Sequence, residues 1–178
     1  AKRCRLPPLA EDLAQVLDEA VGPVPVVLIG HSMGGMTIMQ LALTELTGQP
    51  FAALMQATVL GPLGMVHSSY EQPPPSNVES QLARAHDGQG RSMNPTWHVY
   101  PEQAAAGLWT TPSDLARFVI DVQTAVRGPA GKVLSQASAR EMTSPVGVGP
   151  YAVGLSMEKR GEGWYFGHGG SNWGFQCN

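Results

Sequence analysis

Apolar residues recur at helical spacing near the start of the chain. Leu9, Leu13, Val16, Leu17 and Ala20 share one face, and Glu11, Asp12, Asp18 and Glu19 take the other side. This predicts a helix that opens after Pro7-Pro8 and stops at Gly22-Pro23. Residues 24–29 then form a short, continuous, β-branched run bounded by glycine. Such a run predicts a strand buried on both faces, with Pro25 at its first turn or edge. Helical spacing returns over about residues 36–47, ended by Gly48. Pro50 opens another helix over about residues 51–60, ended by Gly61-Pro62.

Residues 61–107 lose all period, because Pro73-Pro74-Pro75, Asp87-Gly88, Gly90 and Asn94-Pro95 interrupt every run. So long an insert predicts a functional lid or short strands. Order resumes with Thr111 as N-cap, Pro112 as first helical residue and Asp114 as the third, reaching back. Leu115, Phe118, Val119, Val122 and Val126 give that helix its apolar face, and Gly128-Pro129 stops it. Residues 135–143 read as a further helix. Tyr151, Val153, Leu155 and Met157 alternate with smaller or polar residues, which predicts a half-buried strand. A turn at residues 159–163 and the partner strand Trp164-Tyr165-Phe166 complete a hairpin before His168-Gly169-Gly170. These elements predict an α/β class, or a mixed α+β one. The architecture is a layered sheet with flanking helices in a single domain over residues 1–178, and the strand order stays open.

Composition narrows the function classes. A chain of 178 residues and 18.9 kDa can bury a core of its own. Apolar residues make up 43% and charged ones 14%, so wholesale disorder is excluded. A net charge of −3 argues against a nucleic-acid or anionic-membrane surface, which needs clustered Lys and Arg. No apolar run approaches the roughly 18 residues of a membrane span. Cys4 and Cys177 form no Cys-x-x-Cys pair, so no structural metal is expected, and two free thiols are the simpler reading. The first residues carry charge without a hydrophobic stretch, unlike a signal peptide, which points to the cytoplasm.

Gly30-x-Ser32-x-Gly34 carries the candidate chemistry, since it lies between the predicted strand and a predicted helix. That is the setting of a serine-hydrolase elbow. The serine must occupy a strained turn, and the glycines two before and two after let the backbone pack on itself. The Met33 N–H, at the positive end of the following helix, would face an oxyanion. The plain alternative is a glycine-rich turn ending a βα unit.

Residues 1–39, from Leu9-Ala10-Glu11-Asp12-Leu13 to Val26-Val27-Leu28-Ile29-Gly30-His31-Ser32-Met33-Gly34-Gly35-Met36, resemble the α/β-hydrolase family. The resemblance implies Ser32 as nucleophile, followed in the chain by an acid and then a histidine. From about residue 37 onward the chain resembles class C β-lactamase-like serine hydrolases, including penicillin-binding-protein-type esterases and peptidases. The carrying residues are Thr37-Ile38-Met39-Gln40, Gly61-Pro62-Leu63-Gly64-Met65, Tyr70-Glu71-Gln72-Pro73, residues 104–116 and His168-Gly169-Gly170. This resemblance implies that Gly169 and Gly170 flank a bound substrate carbonyl and that Tyr70 is a structural residue of the substrate region, with a general base as its less favoured alternative. It also implies a Ser-x-x-Lys pair on a helix, which is missing. Lys159 follows Ser156 by three, but the pair sits on a predicted strand, where such positions face opposite sides. The two resemblances suggest a chimera joined near residues 37–40.

His168 is the best candidate base, because it lies late in the chain in a glycine-flanked turn. Its alternative is a polar residue of the substrate-flanking motif. His67, His86 and His98 read as loop residues, and His31 as packing beside the elbow. For the acid, Asp114 is accounted for by the helix cap, Asp121 reads as solvated and Asp87 as a turn residue. Met33, Met36 and Met39 read as core filling, and the four tryptophans as packing anchors. The expected protein is a serine hydrolase of small acyl esters, working through an acyl-enzyme on Ser32 with His168 as base and Met33 as oxyanion donor. It needs no cofactor and takes a small-molecule ester or amide. The rival expectations are a β-lactamase-like remnant that binds peptides or lactams without turnover, and a non-catalytic scaffold.

Overall fold

The computed structural model describes Gln15, Glu19, Gly22 and residues 32–177. Gln15 and Glu19 are helical and joined by a 2.7 Å hydrogen bond one turn apart, within the first predicted helix. The predicted strand at 24–29 and the Gly30-His31 start of the motif lie outside the described residues. The chain divides into two compact units.

The first unit comprises Ala1–Gln56, Ser69–Gln81 and Val99–Trp109. Its main helix, α1, runs over Met33–Thr47, ending where the periodicity placed it and starting three residues earlier. Gly48 ends it in the left-handed region at φ 65 and donates its N–H to the Thr44 carbonyl. Helix α2, Phe51–Met55, opens after Pro50, and Phe51 and Ala52 are buried. Three glutamines fasten the aperiodic segments. Gln40, buried on α1, donates to the Pro101 carbonyl and accepts the Ala104 N–H. Gln72 donates to Gly107 and accepts the Tyr100 N–H. Gln103 donates to the Tyr70 carbonyl. The aperiodic stretch, expected as a lid or short strands, is mostly loop with short helices and the isolated bridges Ser69–Trp109 and His86–Ser92, and these glutamines give its backbone further partners.

The second unit comprises Ala57–Ser68, Leu82–His98 and Thr110–Asn178. Gln56–Leu60 is a π-helical turn, and Gly61–Leu63 forms the short helix α3, ended by Gly64 at φ 68. Gly61-Pro62 thus does not stop the helical run. Pro62 lies at the start of α3 and supplies no N–H to that continuous run. In the first unit, Gln103–Ala106 forms the short helix α4, which packs on α1. In the second, α5 spans Pro112–Arg127, with the Thr111 hydroxyl accepting the Asp114 N–H at 3.2 Å. Helix α6, Gln136–Met142, is capped in the same way by Ser135 and packs on α5. Val122, Ala125 and Ala139 are fully buried at that contact.

The predicted hairpin is present, as β1, Ser156–Arg160, pairs antiparallel with β2, Gly163–Gly167. Its loop has Gly161 at φ 59 in the first position, as a type II′ turn requires. The strand predicted from residue 151 starts only at Ser156, because a turn closed by Ala152 N–H to Leu155, with Gly154 at φ 73, breaks it. A second hairpin joins β3, Gly170–Asn172, to β4, Phe175–Cys177. The described residues therefore show helices with two two-stranded antiparallel sheets in place of the expected layered sheet.

Candidate functional site

Ser32 immediately precedes α1 with φ 53 and ψ −128, and no other described non-glycine residue has positive φ. Serine reaches that region only where the surroundings hold it there. Its hydroxyl is exposed and does not cap the helix. The first turn of α1 carries no acidic residue, so its backbone N–H groups meet no carboxylate from that turn. Met33 is 55% exposed and Met39 58%, so of the three methionines only the half-buried Met36 approaches the expected core role.

His168 and Gly169 connect β2 to β3, Gly170 opens β3, and all three are exposed. Ser32 belongs to the first unit and His168 to the second. His31, the one histidine of the first unit, lies outside the described residues. Tyr70 is half-buried and meets Phe51 edge-to-face at 5.2 Å. Burial pushes its phenol pKa up, so the group stays protonated at neutral pH and cannot serve there as a base.

The remaining histidines have other surroundings. His67 uses its backbone N–H on Asp114, His86 places Nε2 3.4 Å from the Ser92 hydroxyl, and His98 stacks on Trp173 at 4.6 Å. Among the tryptophans, Trp164 is 55% exposed and does not anchor packing.

The acids depart from expectation. The backbone N–H of Asp114 is capped as predicted, but its carboxylate does not reach back. It is fully buried and accepts the His67 N–H at 2.7 Å, the Ser68 hydroxyl at 2.9 Å and Arg117 Nη1 at 2.7 Å. Burial would push its pKa up. The His67 N–H, the Ser68 hydroxyl and the Arg117 guanidinium outweigh that and hold it below the usual carboxylate range. Asp121 is buried rather than solvated, accepting the backbone N–H groups of Lys132 at 2.6 Å and Val133 at 3.3 Å. The seven-residue spacing from Asp114 was the signal, since it puts both carboxylates on one face of α5, the one turned inward. Asp87 holds a turn, accepting the N–H groups of Gln89 and Arg91. Ser156 and Lys159 both lie on β1, and the Ser156 hydroxyl donates to the Gly167 carbonyl at 2.8 Å. Among the described residues, no group of three or more His, Cys, Asp or Glu is placed to hold a metal, and no helix is long and apolar enough to cross a membrane. Cys177 is a free, exposed thiol, and Cys4 lies outside the described residues.

The sequence profile of the Beta-lactamase family matches residues 8–177. One family therefore spans both sides of the join expected near residues 37–40, including the elbow segment that resembles α/β-hydrolases. No curated protein matches the chain. Several solved structures share its fold. D-amino acid amidase from Ochrobactrum anthropi SV3, complexed with D-phenylalanine, is 20% identical with a TM-score of 0.63, over 84% of this chain and 46% of its own. The penicillin binding protein from Bacillus halodurans is 14% identical with a TM-score of 0.63, over 98% and 52%. D-alanine carboxypeptidase from Burkholderia cenocepacia is 21% identical with a TM-score of 0.54, over 75% and 37%. The chain thus spans about half or less of each of these proteins.

Proposed function

Because the chain belongs to the Beta-lactamase family, we propose that it is a serine hydrolase that cleaves small acyl esters, or the related amides, through an acyl-enzyme on Ser32. The observation that carries this reading is the exposed Ser32 hydroxyl, held at φ 53 and ψ −128 in front of a 15-residue helix. In this mechanism the Ser32 oxygen attacks the substrate carbonyl while His168 takes its proton. The Met33 N–H holds the oxyanion, the leaving group departs with the proton from His168, and water then releases the acid. This reading assigns Gly169 and Gly170 to flank the carbonyl and Tyr70 to the substrate region. The amidase and carboxypeptidase relatives support an amide or amino-acid-like substrate class beside the ester.

Intact mass after treatment with a fluorophosphonate tests it directly. One adduct mapping to Ser32 is the expected result, together with loss of p-nitrophenyl acetate turnover in Ser32→Ala. Full turnover in that variant ends the proposal.

One observation favours a second reading, binding without turnover. None of the three lysines in these 178 residues stands three residues after a serine on a helix, so this stretch does not itself supply the Ser-x-x-Lys pair implied by the family resemblance. Under that reading a chromogenic cephalosporin binds or bursts slowly, with no change in Ser32→Ala.

A further inference from the structure

A groove runs along the solvent side of α5, wholly within the second unit. Arg117, Ile120, Thr124 and Arg127 follow one another at helical spacing. Two adjoining open depressions share Ile120 and Thr124 as lining. Lys132 lines the first with Arg117, and Arg127 lines the second.

The charges of this groove do not cancel. Asp121 contributes the one carboxylate of the lining, and its oxygens engage the Lys132 and Val133 backbone N–H groups. Arg117 reaches Asp114 and the Gly64 carbonyl through Nη1, which leaves its remaining N–H donors for other acceptors. Arg127 and Lys132 enter no salt bridge among the described residues. The chain as a whole carries −3, so this is a local reversal of sign. The exposed apolar side chain shared by both depressions is Ile120, 60% exposed, with polar Thr124 beside it and Leu63 buried behind the first.

A bare inorganic anion would leave that apolar side chain unused, and a neutral hydrophobe would leave the cations unmatched. We propose that this groove binds a small organic anion, an acid group on a compact apolar body, with Arg127 and Lys132 attracting the acid from the two depressions and the body resting on Ile120. The groove shares no residue with the Ser32 and His168 assignment.

Fluorescence titration of the full chain with 1-anilinonaphthalene-8-sulfonate tests this, with neutral N-phenyl-1-naphthylamine as control. The expected result is saturable one-to-one binding of the sulfonate, weakened at least tenfold in Arg127→Gln/Lys132→Gln and in Ile120→Gln. The neutral probe should be indifferent to the charge change. Arg127→Lys/Lys132→Arg keeps both charges and should keep the affinity, which separates lost charge from a disturbed helix. The proposal is overturned by no saturable binding, by equal affinity in the glutamine variants, or by loss in the charge-conserving one. Displacement of the sulfonate by inorganic phosphate at equal concentration also overturns it, since the groove would then read charge alone.

Discussion

Asp114 Oδ2 accepts the His67 backbone N–H at 2.7 Å across 47 residues of sequence. With Ser68 and Arg117 on the same carboxylate, a single buried acid ties the first turn of α5 to the loop that follows α3. Replacing it by Asn keeps the shape but removes the charge opposite Arg117 and a strong acceptor of the His67 N–H. Asp114→Asn should lower Tm by several degrees, and by more than Arg117→Gln, in a thermal scan at pH 7. Equal losses would assign the effect to the ion pair alone.

The same carboxylate sets a pH dependence. Its folded pKa lies below the ordinary value of about 3.9, so its contribution is fully present above that pH. It is lost as pH falls through the lower, folded value. The stability gap between wild type and Asp114→Asn should therefore close as pH is taken below about 4. A gap that stays constant down to pH 2 would refute the assignment.

Ser32 occupies a backbone region that glycine enters at little cost. Ser32→Gly should raise stability by about 1 kcal/mol through relief of that strain, while Ser32→Ala should not. Both should lose fluorophosphonate labelling and at least about a hundredfold in ester turnover. This separates a strained position kept for its hydroxyl from one the fold needs: a Ser32→Gly protein that is less stable than wild type contradicts the first.

Much of the helical layout could be read in the sequence, because its signals are local. Gly48, Pro50, Thr111-Pro112 and Ser135 mark starts and stops by their own backbone chemistry, and the structure puts helix ends there. What failed depended on distant partners. Nothing local says that Asp114 will meet His67, that Asp121 will meet Lys132, or that three glutamines will hold backbone groups of the aperiodic stretch. Alternation at 151–157 also misled, since Gly154, at positive φ, turns the chain where side-chain polarity alone predicts extension. At the site, the five-residue motif foretold the positive φ of Ser32 but not the open space beside Gly34, where a Cβ would meet nothing within 4 Å. The backbone of a turn ahead of a helix is a local property, whereas the partners of a side chain come from elsewhere in the chain.

Gln40 is buried, with its amide nitrogen 3.1 Å from the Pro101 carbonyl and its amide oxygen 2.9 Å from the Ala104 nitrogen. Gln40→Ala would leave both backbone groups without partners, at a cost of about 1–3 kcal/mol each before relaxation. Residues 99–107 should then be cut earlier in limited proteolysis.

Gln40→Glu is the sharper test of that arrangement. An ionised glutamate accepts from Ala104 but sets a second oxygen against the Pro101 carbonyl. Protonated, it can donate there, as the amide does. Gln40→Glu should therefore be destabilised by about 2 kcal/mol at pH 7 and recover as pH falls through the raised pKa of the buried carboxyl. Denaturant melts of wild type and variant at pH 7 and pH 5 measure the difference. Recovery requires the side chain to face Pro101 and Ala104 as described, because a glutamate turned to solvent would keep an ordinary pKa and show no gain between those two values.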